Sequence, residues 1–149
     1  MNSWIVLLRG VNVGGRGIVP MKQLAEMLGG LGCQNVQTYI QSGNFLLQHA
    51  ESNTQVLSHQ IAEKIAQTFG FKPHILLLTF TEFERAAANN PFPEAQSEPK
   101  TLHVFFLAEP SVKVNFDELE QIKKDNESFK LFVFLVRLSK SQTIPRLFF

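Results

Sequence analysis

Apolar residues run unbroken over positions 4–8 and stop at a cation, Arg9, followed by a glycine-rich stretch. A continuous run of that length predicts a strand buried on both faces. Helical spacing follows from Pro20, with Met21, Leu24, Ala25, Leu28 and Leu31 on one stripe and Gly29, Gly30 and Gly32 as the stop. Proline suits the first helical position, where a missing N–H costs nothing. Residues 36–40 alternate, with Val36, Thr38 and Ile40 on one face, and Ser42-Gly43 is a hairpin signal before a strand at 45–47. Ser52-Asn53-Thr54 supplies cap chemistry for a second helix, whose stripe is Val56, Leu57, Ile61, Ile65, Ala66 and Phe69 and whose end is Gly70. A strand at 73–78 follows. Thr81-Glu82-Phe83-Glu84 reads as a capping box that opens a short helix to about Asn89. A proline-rich linker then leads to a strand at 101–107, a helix at 115–124 and a strand at 129–136.

The first six elements spell β-α-β-β-α-β, the order of a split β-α-β, ferredoxin-like sandwich, and the last three read as an incomplete second copy. The expected class is therefore α+β. Residues 1–79 form the first subdomain, 80–100 a short helix and linker, and 101–149 the partial repeat. Right-handed crossovers place the end of the first strand, the start of the first helix and the turn between the second and third strands at one edge of the sheet. That brings Arg9, Asn12, Gly14 and Gly15 beside Gln41, Ser42 and Asn44. Helices cover only one face of such a sheet, so the second half of the chain or another subunit is expected over the other.

Composition narrows the setting. With 149 residues, 44% hydrophobic and 18% charged, the chain is an ordinary globular protein. A net charge of +1 gives no general pull toward nucleic acid or anionic lipid. A single cysteine, Cys33, rules out an internal disulfide and fits a reducing compartment. No basic leader and no apolar run of about 20 residues is present, and the expected location is cytoplasmic, without membrane association.

The converging edge is the candidate site. Arg9 suits bidentate capture of a phosphate or carboxylate, the glycine loop and helix start offer N–H donors, and the amides of Asn12, Gln41 and Asn44 offer specificity. The same residues have structural uses: glycines for turns with positive φ, asparagines as turn caps, and Arg9 in a salt bridge. The loop misses a P-loop, because Arg16 and Gly17 stand where Lys and Ser/Thr are required. Ser42 has no histidine predicted near it, so a nucleophilic role is not expected. His49, His59, His74 and His103 show no metal-ligand spacing, and neither a metal nor a cofactor is expected. Cys33 reads as packing. The acidic residues Glu82, Glu84, Asp117, Glu118 and Glu120 read as solvated helix faces. The expected function is binding of a small anionic ligand, with catalysis left open and no base nominated. The alternative is a non-enzymatic protein-interaction or RNA-binding module on the sheet face. Against RNA, the aromatic-rich signature is absent and Tyr39 alone is offered for stacking.

Three blocks carry a resemblance: Leu8-Arg9-Gly10-Val11-Asn12-Val13-Gly14-Gly15, Pro20-Met21, and Thr38-Tyr39-Ile40-Gln41-Ser42-Gly43-Asn44. Together they resemble the bacterial family filed as domain of unknown function 1697, over residues 1 to about 136. The resemblance implies two ferredoxin-like subdomains in tandem and assigns no reaction. The C-terminal end departs from the pattern: Leu138-Ser139-Lys140-Ser141 only echoes a helix start and the chain runs to Arg146-Leu147-Phe148-Phe149. The expectation is a shortened or frameshifted member whose Phe129, Phe132, Phe134, Phe148 and Phe149 leave an apolar patch that promotes self-association.

Overall fold

The computed structural model describes residues 1–97, 99–107, 115–124 and 128–130. The architecture is α+β. The elements are β1 (Asn2–Arg9), α1 (Met21–Gly29), β2 (Gln34–Tyr39), β3 (Asn44–His49), α2 (Thr54–Phe69), β4 (His74–Thr79), α3 (Phe80–Ala88) and α4 (Phe116–Ile122). Short 3-10 turns lie at Pro93–Ser97 and Pro99–Thr101. The chain divides into two compact units, Met1–Arg85 and Ala86–Phe149.

In the first unit the strands form one sheet in the order β2-β3-β1-β4, and every neighbouring pair is antiparallel. Alternation along β1 decides which face holds the core. Trp4, Val6 and Leu8 join Phe45, Leu47 and Leu77 beneath the helices, with Leu24 and Leu28 of α1 and Leu57, Ile61 and Ile65 of α2. Burying a side chain of that size is worth about 1.5–3 kcal/mol. On the opposite face Ile5 pairs with Leu78, and both are also out of solvent, whereas Leu46 beside Ile5 is exposed. The unbroken apolar run in β1 thus serves two faces.

The caps hold with small shifts. Asn53 caps α2 by accepting from the N–H groups of Gln55 and Val56, and Gly70 ends it at φ 79°. Pro20 stands one position before the expected place, as the N-cap residue of α1, and its carbonyl takes the first helical bond from the Leu24 N–H. The capping box of α3 begins at Thr79, not Thr81. The Thr79 Oγ1 accepts from the Glu82 N–H at 3.2 Å, and a Glu82 carboxylate oxygen takes the Thr79 N–H at 2.7 Å. The last strand residue therefore caps the following helix with no loop between them.

Other expectations are revised. β2 is an edge strand with a bulge between Gln34 and Gln37, so its alternation does not make a buried face: Val36 is half-buried, and Thr38 and Ile40 are exposed. Residues 102–107 have no regular structure, because no neighbouring strand pairs with them among the described residues. The strand expected at 129–136 lies outside the described residues beyond Lys130, as do Phe132, Phe134, Phe148 and Phe149.

Cys33 packs in the core cluster, and burial pushes its thiol up from the usual range. A disulfide-exchange reagent should modify the native chain far more slowly than the urea-unfolded chain. Equal rates would show that this part of the core is open to solvent.

Candidate functional site

The loop after β1 is a miniature hairpin. Val13 and Arg16 form an isolated antiparallel bridge, and the Arg16 N–H donates to the Val13 carbonyl at 3.0 Å. Gly14 and Gly15 occupy the tip at φ 58° and 73°, the two positive values that a type I′ turn requires. The arms close lower down, where the Asn12 N–H donates to Gly17 O at 2.9 Å. A tongue of this shape differs from a P-loop, which wraps its amides around a phosphate ahead of a helix. The amides of Gly14 and Gly15 instead point from a turn and bond to no described residue.

The turn between β2 and β3 is longer than Ser42-Gly43 alone. Tyr39 and Asn44 form the last ladder pair, leaving residues 40–43 as the loop. Ser42 Oγ donates to Tyr39 O at 2.7 Å and accepts from the Asn44 N–H at 3.2 Å. Gly43, at φ 78°, lies so close to the end of β1 and the loop after it that an added Cβ would stand 3.0 Å from Val11 Cβ and 3.3 Å from Leu8 Cβ. Ile40 also has positive φ, 51°, a conformation that β-branched residues almost never take.

Asn12 joins the two loops. Its side-chain N–H groups donate to Gln41 O at 2.9 Å and Val19 O at 3.1 Å, and its Oδ1 accepts from the Val19 N–H at 2.8 Å. Both ends of the amide are spent inside the protein, so Asn12 works as a clamp. Asparagine also tolerates its φ of 56° better than most residues.

The other nominated residues stand around this clamp. Arg9 is exposed at the end of β1, opposite His74 in the ladder. Gln41 is exposed and lends its carbonyl to Asn12, Ser42 is occupied within its own turn, and Asn44 is half-buried as the first residue of β3.

Two further cations flank these loops, Arg16 on the tongue and Lys22 at the start of α1. Both are exposed and form no ion pair among the described residues. Their signal was legible in the order of charges. Among residues 1–50 the only carboxylate is Glu26, in the C-terminal half of α1, whereas the cations are Arg9, Arg16 and Lys22. The near-neutral total hides a stretch before Glu26 that carries cations alone.

The opposite rim differs. There an open concavity of about 550 Å³ is lined by Leu31, His49, His59, Gln60, Glu63, Lys64 and Gln67. Three of its polar side chains already have partners. His49 Nδ1 accepts from the Glu51 N–H at 3.0 Å and its Nε2 lies 3.2 Å from Leu31 O. Glu63 pairs with Lys72 and lies 3.5 Å from His59, and the hydrogen bond from Lys72 holds its carboxyl below the usual range. Among the described residues no three His, Cys, Asp or Glu side chains converge as a metal site would require, and no helix is long and apolar enough to cross a membrane.

Residues 1–133 match the family described as "Protein of unknown function (DUF1697)". The chain belongs to this family. No curated protein matches it. Among solved structures it is similar to the conserved bacterial protein SP0830 from Streptococcus pneumoniae, with 26% identity and a TM-score of 0.52. The likeness covers 80% of this chain and 63% of that protein. Both glycine-rich loops and the clamp between them lie inside the part matched by the DUF1697 family.

Proposed function

We propose that this DUF1697 chain binds a small phosphate- or carboxylate-bearing ligand at the rim of Arg9, Gly14, Gly15 and Gln41, with Arg16 and Lys22 adding charge. The observation that carries the reading is the Asn12 clamp. A 2.9 Å bond to Gln41 O holds two remote loops together, and with them two glycine amides that have no described acceptor and a cation-only stretch of chain. Guanidinium groups recognise oxyanions by charge and by paired N–H donors, and backbone amides already fixed in position lose little freedom on binding. Asn12 and Ser42 shape this rim; Arg9, Arg16 and the glycine amides contact the ligand. The strand order β2-β3-β1-β4 with both helices on one face favours the split β-α-β, ferredoxin-like description of the first unit.

Pyrophosphate is a suitable probe. At about ten times its Kd it adds about 1.4 kcal/mol to unfolding free energy, which appears as a raised Tm. Arg16→Ala should abolish most of that shift while leaving the Tm without ligand nearly unchanged, because exposed side chains without special contacts contribute little to stability. Equal shifts in the two proteins, or none with pyrophosphate, phosphate and citrate, would overturn the proposal.

A further inference from the structure

Ile40 is costly where it stands. Left-handed backbone costs an L-residue about 1–2 kcal/mol, and a β-branched side chain is among the worst suited to it. Burial offsets little of this, because Ile40 is 70% exposed. It does not stand alone. Tyr39 beside it and Val13 and Ile18 on the tongue are exposed by 66%, 66% and 65%. The clamp ties these segments together, since Asn12 adjoins Val13 and Gln41 adjoins Ile40. Arg16 lies on the tongue, Lys22 follows Met21, whose sulfur is 3.9 Å from the Asn12 amide nitrogen, and no carboxylate lies within residues 1–25 or 27–50.

We infer that this rim docks an acidic segment of a partner protein, with Ile40 as the apolar anchor and Arg16 and Lys22 receiving carboxylates on either side. The inference rests on the anion-binding reading and names the source of the anion. Tyr39 beside Ile40, and Arg16 on the loop that the clamp holds against this turn, are of the residue types enriched at protein–protein hot spots. Charge complementarity calls for a partner rich in Asp and Glu, and Ile40 calls for an apolar socket between them. Nucleic acid would use the cations but not the aliphatic side chains, which have no π-face for stacking. A lipid surface would take the apolar side chains but needs no fixed presentation. Here the presentation is fixed by a side-chain clamp and a strained turn, and only a shaped partner reads such a geometry.

The test is selection of short displayed peptides on the full chain, followed by anisotropy titration of one synthetic peptide from the enriched set. Enriched sequences should place Asp or Glu beside Leu, Ile or Phe. Ile40→Asn, which suits positive φ, should keep or raise the Tm and weaken the peptide at least about tenfold, as loss of a central anchor does. Ile40→Leu should keep most of the affinity, and Arg16→Ala should weaken it most at low salt, the difference from the parent shrinking as salt rises. Enrichment of basic or purely apolar peptides, no enrichment, or an Ile40→Asn variant that binds like the parent overturns the inference. So does Ile40-dependent binding to phosphatidylserine vesicles or to single-stranded DNA in place of the peptide. Pyrophosphate separates the two readings. If it still raises the Tm of the parent and of Ile40→Asn alike, but not that of Arg16→Ala, when the peptide fails, only the docking inference falls. If it fails as well, the anion site falls with it.

Discussion

Gly17→Ala should destabilise the first unit by about 3 kcal/mol, roughly 10 °C or more in Tm for a unit of this size. Two costs add. At φ +58° any L side chain sits in left-handed backbone, at about 1–2 kcal/mol. The new Cβ would also stand 2.4 Å from Gly10 O, a backbone atom that moves only if the tongue moves. Urea unfolding followed through Trp4, the single tryptophan and a buried one, reads the change directly. Gly29→Ala is the matched control. Its Cβ meets nothing within 4 Å and its φ is not positive, so it should be neutral or stabilise by up to about 1 kcal/mol. A Gly17→Ala protein as stable as the parent would mean that the tongue does not close on Gly10 as described.

The second large effect is expected at Asn12. Asn12→Ala removes three hydrogen bonds, worth about 1 kcal/mol each, and strands the N–H of Val19, which is almost wholly buried. It also leaves alanine at positive φ. The sum is about 3–4 kcal/mol in urea unfolding. Asn12→Gly should be milder by up to about 1 kcal/mol, since glycine takes that backbone without strain. Both variants should lose pyrophosphate affinity, because the two loops are no longer held together. Retained stability together with lost affinity would reverse the assignment and make Asn12 a direct ligand contact.

Local signals survived well because they rest on local physics. The stripe of Met21, Leu24 and Leu28, the Asn53 cap, the Gly70 stop and the strand at β4 depend on residues within a turn or two of one another. Where the reading slipped, a distant partner decided. The capping box at Thr79 is the exception, since Thr79 and Glu82 are three residues apart and the strand runs directly into α3. Val56 of α2 is exposed while Ala62 is buried, because the sheet chooses the helix face. β2 alternates like a half-buried strand but lies at the sheet edge with a bulge, and its alternation buys no core.

At the candidate site the two loops were found by topology, since right-handed crossovers leave them one edge to share. Their chemistry was harder to read. Nothing in the string separates an asparagine that meets a ligand from one that clamps two loops; the carbonyls of Gln41 and Val19 make that choice. Arg16 and Lys22 were visible as part of a stretch almost free of acids, a signal hidden by the near-neutral total charge.

Helix stripes, stop glycines, the buried first strand and the meeting of two glycine-rich loops followed from the order of residues alone, because chain chirality and side-chain periodicity act wherever the sequence places them. The spending of Asn12 on internal carbonyls, the need for glycine at position 17 and the strained exposure of Ile40 were decided only in three dimensions. Each depends on atoms brought close by folding, and distance along the chain carries no record of that approach.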